Sequence, residues 1–389
     1  MKQHTPQHHL PALVARVIAA ASRAKPADAV LRETLRTAGG LTAAESREIS
    51  RAVFAYYRWL GWLDRKLAVA EQVERALELA RRFADAPERF SEGELLARAV
   101  PAWAVVELNV APDWAAVIQS EPVLWLRARR GQGGKLAKKL GDGAIHAQAA
   151  AAETGEFTLP DALIYEGEED LFRKKEFQAG EFEIQDIASQ AVGLLCDPKP
   201  GETWWDACAG EGGKTLHLSD LMQNKGQIWA SDRAEWRLKK LKLRAGRANC
   251  FNYRAVLWDG GERLPMRTKF DGVLVDAPCS GTGTWQRNPH ARWTTTPEDV
   301  RELAAVQERL LANVAPAVKP GGRLIYSVCT LARSETSAVA KAFSKSHPEF
   351  APAPLASPFL PSASPSPQLW LWPQDSGGNG MFVAVWRRL

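Results

Sequence analysis

The sequence predicts an α/β protein built on a doubly wound, mainly parallel sheet, with a small α+β module before it and an all-α region at the N-terminal end. Three observations predict this. From Gly201 onward, short apolar runs alternate with helical segments, as in successive βα units. Upstream of Gly180, two apolar runs flank a short basic helical stretch. From Leu10 to about Ala111, apolar residues recur at helical spacing. The expected divisions are residues 1–111, 112–180 and 181–389.

In the first region Leu13, Val14, Val17 and Ile18 share a helical face, as do Ala29, Leu31 and Leu35, and then Ile49, Val53, Phe54 and Tyr57. Thr42 followed by Glu45 predicts a helix cap with its reciprocal acid. Pro26 and Gly39-Gly40 predict breaks. Arg16, Arg23, Lys25, Arg32, Arg36, Arg47, Arg51 and Arg58 make these helices basic; such faces serve either solvation or RNA contact. Trp59, Trp62, Trp103 and Trp114 follow charged or turn positions and are expected at core edges rather than stacked on bases.

In the second region, residues 123–127 and 162–165 read as strands and 133–140 as a short basic helix. Residues 182–190 read as the opening of a helix. Strands are then expected at 203–206, 227–231, 253–257, 270–275 and 323–327, with helices at 215–223, 234–245 and 297–318. Residues 351–367 are rich in Pro and Ser and are expected to form a surface loop. The runs 369–372 and 381–386, separated by Ser376-Gly377-Gly378-Asn379-Gly380, predict an antiparallel hairpin.

Composition narrows the function classes. The 389 residues are 46% hydrophobic and 24% charged, ordinary for a globular protein, and the net charge of +5 fits a nucleic-acid partner only mildly. Residues 1–9 lead into no signal-type apolar core, and no apolar stretch is long enough to span a bilayer. Five dispersed cysteines without a Cys-x-x-Cys pair suggest neither a disulfide framework nor a zinc site. The expectation is a cytoplasmic monomer with free thiols, no metal and no membrane contact.

Chemistry concentrates in turns after strands. Asp206-Ala207-Cys208-Ala209-Gly210-Glu211-Gly212-Gly213-Lys214-Thr215 reads as strand, Gly-rich turn and helix, where the absence of Cβ lets backbone approach a ligand. Gly-Gly-Lys-Thr suggests a phosphate loop, but the first glycine is misplaced for that pattern. Asp232 ends the second strand, placed for ribose hydroxyls. Asp259 follows the third, placed for an adenine amino group. Together with Asp206 and Asp276 these acids suit S-adenosylmethionine, with its ribose, amine and cationic centre, and suit a triphosphate badly. Two thiols follow later strands: Cys279 in Asp276-Ala277-Pro278-Cys279-Ser280-Gly281-Thr282-Gly283, and Cys329 in Tyr326-Ser327-Val328-Cys329-Thr330-Leu331.

From about Ser120 onward, the chain resembles the sun-type family of RNA cytosine-5 methyltransferases. The resemblance rests on Gln185-Asp186 with Ser189-Gln190, on Cys208 to Thr215, and on both cysteine turns. Arg287-Asn288-Pro289, Lys319-Pro320-Gly321-Gly322 and Glu335 add to it. It implies a Rossmann-like S-adenosylmethionine-dependent methyltransferase domain. The cofactor would lie against Cys208, Ala209, Gly210, Glu211, Gly212, Gly213, Lys214, Asp232, Arg237, Asp259 and Asp276. It further implies that Cys329 adds to carbon 6 of cytosine, that Asp276 holds the N3/N4 edge, that Cys279 serves proton removal or release, and that Lys214 supports the site.

The helical region resembles the antitermination-factor-type RNA-binding domain, which implies an RNA substrate, ribosomal RNA foremost. The chain departs from the family pattern at Gly210-Glu211, where Ala-Pro is usual, at Val328, where Thr is common, and at Glu335-Thr336-Ser337, which keeps only part of an acidic motif. Two other readings are open to the same fold. One is a non-catalytic RNA-binding or ribosome-assembly factor, which intact Asp276, Cys279 and Cys329 oppose. The other is a small-molecule methyltransferase, which the basic helical region and the α+β module oppose.

Overall fold

The computed structural model describes residues 10–108, 110, 112–146, 159–360 and 362–389. The chain divides into two compact units, residues 1–122 with 284–299 and residues 123–283 with 300–389. Residues 1–9, read above for a leader, and Ala111 and Pro361 lie outside the described residues.

The first unit is helical. Its main helices are Leu10–Ala20, Ala27–Thr37, Ala43–Arg58 and Val69–Asp85, followed by three short ones. The expected cap is present: Glu45 N–H donates to Thr42 Oγ1 at 3.1 Å, and the Glu45 carboxylate accepts from Thr42 N–H at 2.7 Å. Such a cap contributes about 1 kcal/mol. Trp59 and Trp114 are fully buried, Trp59 packing edge-on against Phe83. Trp62 is part-buried and donates from Nε1 to Glu94 at 2.6 Å.

One residue of the expected basic faces is not on the surface. Arg58 is only 4% exposed. It occupies the last turn of Ala43–Arg58, where unpaired carbonyls favour a cation, and one of its Nη atoms donates to the Gln286 carbonyl at 3.2 Å.

The second unit contains two sheets. Strands β1 (Trp125–Ala128), β2 (Ala144–His146), β3 (Ala162–Tyr165) and β4 (Phe182–Ile184) form an antiparallel sheet of order β2-β3-β1-β4. The sequence reading of 182–190 as a helix start is corrected here. Asp186 accepts from Ala188 N–H at 3.0 Å and caps the helix, which runs Ile187–Cys196. The residues before the cap stay extended, and pairing with β1 buries Phe182.

The larger sheet is built from β5 (Thr203–Asp206), β6 (Gln227–Asp232), β7 (Tyr253–Leu257), β8 (Phe270–Asp276), β9 (Val318–Val328), β10 (Phe350–Pro352), β11 (Gln368–Leu371) and β12 (Met381–Arg388). Its order is β10-β12-β9-β8-β5-β6-β7, with β11 paired to β12. Strands β5 to β9 are parallel, while β12 runs antiparallel to β9, β10 and β11. The expected terminal hairpin is therefore present, and the expected Pro/Ser-rich loop begins as strand β10. The helix expected to reach residue 318 ends at Val314, where Pro316 follows in a tighter turn and β9 starts early at Val318.

Neighbouring residues on these strands feed opposite faces. Trp204, Leu274 and Ile325 join one apolar layer, with the helices Ile187–Cys196 and Gly213–Leu221. Trp205, Val275 and Tyr326 join the other, with Pro297–Val314 and Ser337–Ser346. That alternation explains the near-continuous apolar strands of a sheet covered on both sides. The chain leaves β5 in one direction toward β6 and β7 and returns on the other side at β8. The strand order thus reverses beside β5, where a crevice opens at the carboxyl ends of the strands. No helix among the described residues is long and apolar enough to cross a membrane.

Candidate active site

The residues singled out in the sequence converge at the carboxyl ends of β5, β6, β8 and β9. After β5, Gly210 (φ +56°) and Gly212 (φ +87°) turn the chain into the Gly213–Leu221 helix. A Cβ on Gly212 would lie 2.6 Å from Leu241 Cγ, whereas one on Gly210 would meet no protein atom within 4 Å. Gly212 is demanded by packing, and Gly210 opens onto the crevice.

Asp232, at the end of β6, pins this turn. Its Oδ2 accepts from Gly210 N–H at 3.0 Å and its Oδ1 from Ala234 N–H at 2.8 Å. Arg237 Nη1 stands 3.8 Å from Oδ2 of Asp232. Asp259 follows β7, exposed, with Oδ1 accepting from Gly261 N–H at 2.8 Å. Asp206 is fully buried: Thr215 Oγ1 donates to its Oδ2 at 2.6 Å, and Oδ1 has no partner. Burial pushes its carboxyl up to about 7.

Glu211, the unusual acid of this turn, is held by the neighbouring helix. Lys240 Nζ donates to its Oε1 at 2.7 Å and Arg244 Nη1 to its carbonyl at 3.1 Å, tying the turn to the helix Glu235–Arg247. Cys208 packs against the core, and burial pushes its thiol up. A glycine that leaves open space, an acid anchoring the turn, an orphaned carboxylate oxygen and an exposed acid after β7 fit a ligand with ribose, amine and cationic groups.

Lys214 and Asp276 bridge the crevice to the thiols. Lys214 Nζ donates to Asp276 Oδ2 at 2.7 Å, and Ser327 Oγ donates to Oδ1 at 2.8 Å. Burial works against the Lys214 ammonium, but the Asp276 carboxylate outweighs it and raises the Lys214 pKa. Lys214 therefore stays charged.

The thiols themselves are in contact, with Cys279 Sγ 3.4 Å from Cys329 Sγ. They titrate apart. A hydrogen bond from Cys279 holds Cys329 below the ordinary thiol range, helped by the charge of Lys214. The same bond, together with burial, pushes Cys279 well above it. The opposed shifts favour ionisation at Cys329 before Cys279.

Behind the thiols lies a network that sequence reasoning did not assign. Glu335, fully buried, accepts from Ser280 N–H at 2.9 Å, from Ser280 Oγ, from Thr330 Oγ1 at 2.9 Å and from Gln307 Nε2 at 2.9 Å. Thr282 Oγ1 lies 2.9 Å from Thr330 Oγ1 and accepts from Leu331 N–H at 2.9 Å. The backbone adds Gly283 N–H to the Cys329 carbonyl at 3.1 Å. The available signal was a hydroxyl residue directly after each cysteine, Ser280 and Thr330. Val328, where Thr is common in the family, is buried in the core.

Gln185, Asp186 and Gln190 are scaffold. Gln185 Nε2 donates to the Gly213 carbonyl at 3.3 Å, Asp186 accepts from Asn379 N–H at 3.1 Å, and Gln190 Nε2 donates to the Leu126 carbonyl at 3.1 Å. Arg287, Asn288 and Pro289 belong to the other unit. No group of metal-ligating side chains occurs among the described residues.

Comparison with known proteins identifies the family. Residues 193–387 match the sequence model of the family described as 16S rRNA methyltransferase RsmB/F. A probable ribosomal RNA small subunit methyltransferase B of Bacillus subtilis is 39% identical over 54% of this chain and 49% of its own length. The ribosomal RNA small subunit methyltransferase B of Salmonella typhi is 30% identical over 81% of this chain and 71% of its own. The Bacillus protein is thus matched over only about half its length. Among solved structures, NSun6 from Pyrococcus horikoshii with SFG aligns at a TM-score of 0.52 and 28% identity, over 59% of this chain and 58% of that one.

Proposed function

We propose that this chain, which belongs to the 16S rRNA methyltransferase RsmB/F family, transfers a methyl group to carbon 5 of a cytosine in ribosomal RNA. The observation that carries the proposal is the contact of two thiols with opposed proton affinities, set beside the Lys214–Asp276 pair. S-adenosylmethionine, held by the 208–214 turn with Asp232 and Asp259, supplies the methyl group when bound.

Carbon 5 of cytosine is too weak a nucleophile alone. The Cys329 thiolate bonds to carbon 6, and the ring electrons displaced toward N3 make carbon 5 enamine-like. Asp276, already fixed by Lys214 and Ser327, would accept from the N4 amino group, and the Lys214 ammonium beside it would offset the charge that gathers at N3. Once Cys329 is a neutral thioether, Cys279 loses both its charged acceptor and the repulsion that held its proton. Cys279 then gives up its own proton to solvent and, once carbon 5 carries the methyl group, takes the carbon 5 proton; the freed electron pair restores the carbon 5–carbon 6 double bond and expels the Cys329 sulfur as thiolate. The same contact that first activates Cys329 later releases it.

The test is incubation with small-subunit ribosomal RNA and methyl-labelled S-adenosylmethionine, followed by nucleoside digestion. Labelled 5-methylcytidine is the expected product. Label in any other nucleoside, or none with either free RNA or small-subunit particles, would overturn the reading.

A further inference from the structure

The helical unit holds two guanidinium groups whose burial the methyl-transfer site does not explain. Arg58 is 4% exposed and Arg292 fully buried. Arg292 donates to the carbonyls of Ala99 at 2.8 Å and Ile118 at 2.9 Å and to Gln119 Oε1 at 2.7 Å. Arg58 reaches the Gln286 carbonyl, and the Nε atoms of both arginines have no partner. Neither is paired with a carboxylate among the described residues. Buried charges are ordinarily paired, yet these two neighbouring cations hydrogen-bond only neutral oxygens, with the Glu121 carboxylate acting on Arg58 from beyond hydrogen-bond range. Burial lowers the Arg58 pKa to about 10, which still leaves it cationic at neutral pH.

Buried as it is, Arg58 also borders a hollow. It lines a cavity of about 360 Å³ together with Arg47, Ser50, Arg51, Phe54 and Glu121, all of the same unit. Positions 47, 51, 54 and 58 follow helical spacing, so one face of Ala43–Arg58 brings three guanidinium groups to this hollow. Glu121, 3.4 Å from Arg51 Nε, is the one carboxylate on its lining, beside Arg51 and Arg58.

We propose that this cavity binds a phosphate group, whose charge would meet the exposed guanidinium of Arg51 and offset the buried charge that Arg58 shares with Arg292. The site lies apart from the thiol centre and does not depend on the methyl-transfer reading. A phosphodiester of an RNA backbone and a free phosphate offer the same chemistry, and the experiment separates them.

The full chain, in a phosphate-free buffer, is melted against increasing sodium phosphate and, in parallel, sodium chloride of equal ionic strength. Wild-type protein is expected to gain about 5 °C in Tm near saturation beyond the chloride control. Because Arg58→Gln risks the fold, the variant is Arg47→Gln combined with Arg51→Gln, both exposed; it should melt normally in chloride and bind phosphate at least about tenfold more weakly. Equal responses to phosphate and chloride, or a variant with wild-type affinity, would overturn the site. A short RNA lacking terminal phosphates is then added. If the variant loses part of the wild-type RNA response, the occupant is a backbone phosphate; if only inorganic phosphate distinguishes the two proteins, the occupant is free phosphate. Neither readout uses cofactor or turnover, so failure here leaves the methyl-transfer reading untouched.

Discussion

Cys279 Sγ and Cys329 Sγ lie 3.4 Å apart just beyond the ends of adjacent parallel strands, and their contact makes them unequal. The hydrogen bond lowers the proton affinity of Cys329 and raises that of Cys279. Nucleophile and release group are thus distinguished by environment, since the side chains are chemically identical. Cys329→Ala should reduce 5-methylcytidine formation by at least about 10³-fold, because Cys329 is the thiol of the pair that the contact acidifies for attack on carbon 6. Cys279→Ala should still attack RNA but fail to let go, leaving a covalent protein–RNA band on a denaturing gel. Normal turnover by Cys279→Ala without that band would remove the release role.

Charges around the pair should move its pH dependence in opposite directions. Lys214 stabilises the Cys329 thiolate, whereas Glu335, when ionised, destabilises both thiolates. Lys214→Met should therefore shift the acidic limb of the rate profile upward in pH, and Glu335→Gln should shift it downward. Glu335→Gln should also fold well. Its amide oxygen can accept from Ser280 N–H and Gln307, while the hydroxyls of Ser280 and Thr330 can turn to accept from its NH₂. Glu335→Ala removes every one of these partners and should cost about 2–4 kcal/mol of stability along with kcat. Identical pH profiles for wild type and both charge variants would show that these groups only support the fold.

Most of this architecture was legible because strand and helix periods differ. Alternating βα runs located β5 to β9, and the acids ending β5, β6 and β8 located the crevice. Three features were not legible, each for a tertiary reason. Phe182–Ile184 looked helical because its residues run into a true helix, but the Asp186 cap and pairing with β1 decide the boundary. Arg58 carries a charge that composition assigns to the surface, yet its place in the last helical turn lets carbonyls take it inside. Glu335 sits five residues beyond Thr330 and fifty-five beyond Ser280, so its role as the joint of two turns exists only once the strands align.

The two glycines of the cofactor turn should fail differently. Gly212→Ala places a Cβ 2.6 Å from Leu241 Cγ at φ +87°, combining strain with a clash and costing about 2–4 kcal/mol. Gly210→Ala meets no protein atom and pays only about 1 kcal/mol for its φ of +56°. Its methyl group would stand in the crevice, so cofactor affinity by calorimetry should fall while Tm barely changes. Equal Tm losses with unchanged affinity in both variants would place the cofactor elsewhere.

Asp206 makes the fold itself sensitive to pH. Its carboxyl, ordinarily near 3.8, is raised to about 7 when buried, with burial as the main cause. The folded chain therefore holds a proton that the unfolded chain releases between those values. The stabilisation is complete below pH 3.8, declines as pH rises, and is lost by about pH 7, a change on the order of 4 kcal/mol. Asp206→Asn keeps the shape and the acceptor for Thr215 without the titration. Denaturant unfolding of both proteins across this range should show the variant gaining on wild type as pH rises. A constant difference would mean that Asp206 is ionised throughout, with its unpartnered oxygen satisfied by solvent. In that case the crevice would already be wet at its base, and the carboxylate could meet a cationic ligand as a full charge at neutral pH.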